Sequence, residues 1–259
     1  MKNYYQFSTR ITLLLFLLLS FIFISSHAQD TAEKGNLVFF ISDYIAPKDY
    51  DKYETLTKEF KKLADETNAP AYFVNYNGSS MNFGFTLGED LSDLDGLFKD
   101  FETWAKDNPK IEELDAKFSN IIQYNKTRLW REDPTVSYMP EGYDNTIARP
   151  YIRAERNYIL PGQVKRAKEI LAEYLAEWKK QKISYRVLAV WNVFGEEQPC
   201  VQFVSWYKDR EDWLISRNEV NEKVGEAKLT ELNNKWSSIL RKREGLEITA
   251  RPDLSHSNE

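Results

Sequence analysis

Tyr44-Ile45-Ala46-Pro47 recurs as Tyr158-Ile159-Leu160-Pro161, at an offset of 114 residues. Each copy ends an extended run and opens an amphipathic stretch. Proline suits the first position of a helix, where its missing N–H would be unpaired anyway. The run before the first copy, Leu37-Val38-Phe39-Phe40-Ile41, shows no alternation of apolar and polar residues. A strand of that kind is buried on both faces.

The stretches that follow carry matching stripes. Tyr50, Tyr53, Leu56, Phe60 and Ala64 stand at the same offset from Val164, Ala167, Ile170, Tyr174 and Trp178. Spacings of three and four place each set on one helical face. Further on, Ile111, Leu114, Phe118, Ile121 and Ile122 match Leu229, Leu232, Trp236, Ile239 and Leu240 at an offset of 118.

Between the stripes lie hairpin patterns. Residues 71–76 (AYFVNY) and 82–87 (NFGFTL) flank Asn77-Gly78-Ser79-Ser80, and 185–194 and 200–207 flank Gly195-Glu196-Glu197. Aromatic and β-branched runs parted by glycine and polar residues read as paired strands. Helices are expected over 91–106 and 210–224, with final extended segments at 127–139 and 247–254. Each half then reads strand, helix, strand, strand, helix, helix, extended segment. That pattern sets a first repeat at 36–140, a connector at 141–150, a second repeat at 151–254 and a flexible tail at 255–259.

This order resembles the dimeric α+β barrel superfamily, whose unit is a ferredoxin-like split βαβ. The resemblance spans residues 36–254 and rests on element order, the repeated Tyr-Ile-x-Pro and the helix faces. It implies an α+β fold of tandem ferredoxin-like repeats, a single-chain barrel of antiparallel sheets with outer helices. With both sheets in one chain, the protein is expected to be a monomer or homodimer. The superfamily includes cofactor-independent oxygenases, haem-degrading enzymes, isomerases, lyases and proteins without known activity, so function must be argued from a site.

The chain opens with the pattern of an export signal at residues 1–28. Lys2 and Arg10 precede the apolar run Ile11 to Ile24, and Ser26-His27-Ala28 supplies small residues for cleavage. The run is shorter than the ~20 residues of a membrane-spanning helix. Cleavage after Ala28 would remove two of the 35 basic residues and leave all 40 acidic ones. The mature chain is therefore expected in the periplasm or outside the cell, with no integral membrane span. Its acidity argues against a nucleic-acid partner.

The 259 residues include two histidines, His27 in the signal and His256 near the C-terminus. A body without histidine holds no Ser-His-Asp triad and no zinc site of the common kind, so no metal and no cofactor is expected. The axial histidine that the resemblance implies for haem-degrading members has no counterpart; tyrosine is the remaining haem ligand. Cys200 is the single cysteine, in an apolar run where an inert buried thiol is the ordinary case. Dinucleotide, phosphate-loop and nucleophile-elbow motifs are absent.

One strand departs from the apolar rule. Arg153, Glu155 and Asn157 replace Phe39, Ile41 and Asp43 at the 114-residue offset. Period-two spacing puts them on one sheet face. If that face lines the lumen, Arg153 could clamp an anion and Glu155 could act as a base. Asp43, Asn157 and Asn192 would then face a small-molecule ligand, with Trp191, Trp206 and Tyr185 as aromatic walls beside Tyr207 and Tyr72. A structural ion pair and ordinary core aromatics explain the same residues without a site. Three functions stay open: binding of a small apolar or aromatic ligand; cofactor-independent isomerase, lyase or oxygenase chemistry; and a scaffold for interactions. An apolar cavity favours the first, a lumen showing Arg153 and Glu155 the second, a filled lumen the third.

Overall fold

Two aromatic-rich hairpins and four long strands account for the sheet. A computed structural model describes residues 35–78 and 80–257, so the export signal expected at 1–28 lies outside the described residues. The strands are β1 (Leu37–Ile45), β2 (Phe73–Tyr76), β3 (Ser80–Thr86), β4 (Ile122–Glu132), β5 (Tyr151–Ile159), β6 (Leu188–Phe194), β7 (Cys200–Tyr207) and β8 (Leu240–Ala250). The helices are α1 (Tyr50–Thr67), α2 (Ser92–Asp107), α3 (Lys110–Ser119), α4 (Val164–Gln181), α5 (Arg210–Val224) and α6 (Glu226–Ser237).

All neighbouring strands are antiparallel, and they close into a barrel in the order β1-β3-β2-β8-β5-β7-β6-β4. Within each half the fourth strand lies beside the first, the first beside the third, and the third beside the second. Two seams join the halves. β4 meets β6 from Leu129↔Phe194 to Glu132↔Val190, whereas β2 meets β8 only at Asn75↔Ala250 and Tyr76↔Thr249. Among the described residues, closure leaves no free sheet edge, the usual liability of antiparallel sheets.

Several local expectations are corrected. Pro47 starts a short 3-10 turn (Pro47–Asp49) ahead of α1, and Pro161 precedes α4 by three residues. The last strands begin earlier than the sequence suggests. Ile122 and Leu240 extend the helical stripes in sequence, but α3 and α6 stop at Ser119 and Ser237. Both residues then open strands, pairing with Ile45 and Ile159 beside equivalent bulges. Their apolar side chains fit either period, and strand pairing wins because it completes the barrel.

The short β2–β8 seam is reinforced by the C-terminal segment, which is not a free tail through His256. Leu254 is fully buried in the core of the first half. The Arg251 guanidinium binds Glu54 of α1 at 3.0 Å, and the Ser255 hydroxyl accepts the Val74 amide at 2.8 Å. His256 places Nδ1 2.8 Å from the Asp65 carboxylate and Nε2 3.1 Å from the Ala69 carbonyl oxygen. The folded body therefore does contain a histidine, held between a carboxylate and a carbonyl.

Candidate functional site on the helix face of the second half

Strand alternation separates a lumen face from a helix face. On β5 the lumen residues are Ile152, Ala154, Arg156 and Tyr158; Tyr158 is buried against Trp130, Val190, Cys200, Phe40 and Leu188. That cluster fills the barrel interior. Arg153, Glu155 and Asn157 occupy the opposite face, toward the helices. The reading that placed them in the lumen is thus reversed, because sequence periodicity gives the face but not which side of a doubly buried sheet it meets.

Nor do Arg153 and Glu155 pair with each other. Arg153 binds Glu247 at 2.5 Å and lies 4.4 Å from the centroid of Trp213. Glu155 pairs with Arg243 at 3.4 Å and accepts a hydrogen bond from the Asn157 amide at 3.1 Å. Asn157 in turn accepts from the Trp236 indole at 3.0 Å. Asp43 is on the helix face of the other half, where Tyr53 donates to it at 2.5 Å. Trp191 donates to Asp133 at 3.0 Å. Asn192 and Trp206 lie on the lumen face. Asn192 braces the β6–β7 hairpin through the Phe194 carbonyl and the Glu196 amide. Trp206 lies 4.8 Å from the guanidinium carbon of Arg186. Of the aromatic walls proposed from sequence, only Tyr185 and Tyr207 come together, with ring centroids 5.8 Å apart.

The lumen holds a polar knot that the sequence did not reveal. Glu196, in the turn between β6 and β7, points inward and is 5% exposed. It accepts from Arg128 Nε at 2.5 Å, Arg156 at 3.1 Å and Lys126 at 2.9 Å. Arg128 also reaches Ser42 at 2.7 Å and Tyr44 at 3.2 Å, and Arg156 reaches Gln202 at 2.8 Å. Burial pushes the Glu196 carboxyl up, but the bonds from Lys126 and Arg128 outweigh it and hold the group below its usual range. Burial pushes the Cys200 thiol up to about 12, so it is unreactive. This end of the barrel is plugged by charge neutralisation, with three cations converging on one inserted carboxylate.

Open space lies instead between the second half-sheet and its helices. A half-open groove of about 240 Å³, with more polar than apolar surface, is lined by Tyr185, Tyr207, Trp213, Arg217, Val220, Asn221, Leu229 and Asn233. It adjoins a space of about 470 Å³ that shares Asn221, Leu229 and Asn233 and adds Glu222, Glu226 and Thr230. Trp213, Arg217 and Asn221 recur every four residues, which places them on one face of α5. The equivalent helix of the first half, α2, presents Leu94, Leu97, Phe98, Phe101 and Trp104, all packed into the first core. Phe98 meets Phe39 at 5.6 Å, and Phe101 meets Phe85 at 5.4 Å, both edge-on. The corresponding helix layer is packed with aromatics in the first half and leaves open space beside it in the second.

The cavity walls are chemically mild. Burial raises the pKa of Tyr185 and Tyr207, so both remain phenols able to donate. Two nearby buried polar atoms, Trp178 Nε1 and Tyr151 Oη, lack partners among the described residues. Trp178 lies 6.1 Å from Tyr185, and Tyr151 pairs with Tyr207 across the strands. No cluster of metal-ligating side chains occurs among the described residues.

The eight-stranded closed barrel with outer helices settles the architecture. The fold is that of the α+β barrels. An anthrone oxidase-like protein superposes with TM-score 0.56 at 13% identity, covering 86% of this chain and 94% of that one. A protein from Lactobacillus acidophilus provisionally assigned as a monooxygenase gives 0.51 at 9% identity, over 83% and 94% of the two chains. Another, from Fusobacterium nucleatum, gives 0.52 at 9% identity, over 84% and 93%. No protein-family model and no curated protein matches the sequence. Likeness at such identities concerns the α+β barrel alone.

Trp213, Arg217, Asn221 and Asn233 escaped the sequence reading. Without the strand to which each helix packs, such residues look like ordinary surface.

Proposed function

We propose that this chain binds a small aromatic molecule in the cavity between β7, α5 and α6. The observation that carries the reading is the asymmetry of the halves. The first half fills the space under α2 with phenylalanine and tryptophan, while the second leaves a cavity walled by Tyr185, Tyr207 and Trp213 with amides at its rim. Ligand pockets combine apolar aromatic walls with a few polar groups that fix orientation. The filled lumen alone would fit a scaffold role; the helix-side cavity is what favours ligand binding. Titration with 2-naphthol, followed by tryptophan fluorescence, tests it. Saturable quenching is expected for the native chain and its loss is expected for Asn221→Trp, which fills the space. Unchanged binding in that variant would place the site elsewhere.

The second reading is a cofactor-independent oxygenase acting on a small phenolic compound. It is favoured by the solved structures described as anthrone oxidase-like and as monooxygenases. Glu155, on the helix face of β5 and paired with Arg243, would be the base that takes the substrate proton. Oxygen uptake by pure protein with a dihydroxynaphthalene decides between turnover and binding.

The remaining assignments rest on sequence. The residue 1–28 pattern supports export, after which the mature chain begins at Gln29; N-terminal mass analysis of protein from the periplasm tests it. Among the described residues no helix is long and apolar enough to cross a membrane. The matched stripes and Tyr-Ile-x-Pro support an origin of the two halves by duplication, and a monomer or homodimer as the working state.

A further inference from the structure

We infer that the cavity selects an aromatic anion, an arene carboxylate or phenolate, and that Arg217 is the residue that reads the charge. This rests on the ligand-binding reading above and adds the class of ligand.

Arg217 is the basic side chain in the lining, and Arg153 and Lys223 are compared with it because one stacks on Trp213 and the other shares its helix. Arg153, stacked over Trp213, is neutralised by Glu247 at 2.5 Å. Lys223, on the same helix as Arg217, is neutralised by Glu219 at 2.6 Å. Arg217 lines the aromatic cavity directly, and among the described residues no carboxylate stands within ion-pair distance of it. It is therefore the one cation of the three left with its hydrogen-bonding fork unused. Glu222 and Glu226 line only the adjoining space, whereas Arg217 lines only the aromatic one. The anionic end of a ligand would thus lie at Arg217, away from those acids.

The geometry suits a planar anion. Trp213 and Arg217 are one helical turn apart on α5, so aromatic wall and guanidinium face the same space. Arginine's planar fork matches a carboxylate with two parallel hydrogen bonds. Tyr185 and Tyr207 pack against each other, with ring centroids 5.8 Å apart and planes tilted by 42°, and together form one aromatic wall. A neutral aromatic would gain the walls but not the fork.

The test is a matched pair of probes, 2-naphthoate and the neutral 2-naphthamide, titrated into the native chain and into Arg217→Met. Native protein is expected to bind the anion about tenfold more tightly or better, as charge-assisted hydrogen bonds allow. In Arg217→Met the preference should be lost and the two probes should bind alike. Equal affinities in the native chain, or a preference kept by Arg217→Met, would overturn the anion inference while leaving the pocket intact. Binding of neither probe would overturn the pocket reading and this inference with it. Circular dichroism of the variant should be native, because the Arg217 side chain is exposed and bonds no described residue.

Discussion

Glu196 and Arg128 meet at 2.5 Å inside the barrel, joining the β6–β7 hairpin of the second half to β4 of the first. Arg156 of β5 shares the same carboxylate oxygen at 3.1 Å. One acidic side chain thereby neutralises cations from both halves in a space walled by Trp130 and Tyr158. Buried ion pairs seldom add much net stability, but removing one partner strands the other in low dielectric.

Glu196→Ala should therefore destabilise the protein by about 3 kcal/mol, measured by urea unfolding. Glu196→Gln keeps an acceptor and should lose less. Because the folded pKa is depressed, this contribution is present above the unfolded carboxylate range and fades as pH falls through the folded value. The difference between native chain and Glu196→Gln should shrink below pH 4.5, the ordinary glutamate value.

The turn that delivers Glu196 depends on Gly195. Its φ of +92° lies where side chains are rarely tolerated, and an added Cβ would sit 2.2 Å from the Thr127 carbonyl oxygen. Gly195→Ala should cost about 1–3 kcal/mol. The loss should overlap with that of Glu196→Ala in a double-mutant cycle, since both undo one hairpin.

Asp43 runs the other way. Burial is the largest cause of its shift, the Tyr53 hydrogen bond opposes it and the Asp115 charge adds to it, with the carboxyl pushed up from 3.8 to about 6. The folded chain holds this proton more tightly than the unfolded one. Its contribution is thus fully present below pH 3.8 and is lost as pH rises toward about 6. An ionised Asp43 costs about 3 kcal/mol at neutral pH. Asp43→Asn should recover about 1–3 kcal/mol at pH 7.5, because the amide oxygen still accepts from Tyr53 without a charge to bury. A thermal melt series from pH 4 to 8 checks it: the variant should be the flatter curve.

The C-terminal segment is the clasp of the weaker seam. Leu254→Ala should cost about 2–5 kcal/mol, as for other fully buried leucines. Hydrogen exchange should rise first at Val74 to Tyr76, the strand that the segment and β8 hold together. Uniform loss of protection would mean that the seam has no separate weakness.

Much of the architecture was legible because it repeats. The two Tyr-Ile-x-Pro segments, the stripes of α1 and α4 and the apolar β1 fix the element order. Later strand boundaries were not, since Ile122 and Leu240 satisfy a helical and an extended period equally well. Of the residues singled out from sequence, only Tyr185 and Tyr207 line the proposed site. Arg153, Glu155 and Asn157 stand out as polar residues on a buried strand, and they do face the second helix layer that also encloses the cavity. Their side of the sheet was misread, because both faces of β5 are covered and alternation carries no sign. Glu196 was unreadable from its own neighbourhood, where Gly195-Glu196-Glu197 looks like a solvated turn. The cue lay elsewhere, in Lys126, Arg128 and Arg156 on lumen faces without enough acid to match them.

The central claim is that ligand binds outside the barrel lumen, on the helix side of the second half. A crystal structure of the mature chain soaked with 2-naphthoate tests it most directly. Ligand density bounded by Tyr185, Tyr207 and Trp213, with the carboxylate on Arg217, is the expected result. Density inside the barrel against Trp130 and Tyr158, with Glu196 displaced, would contradict it.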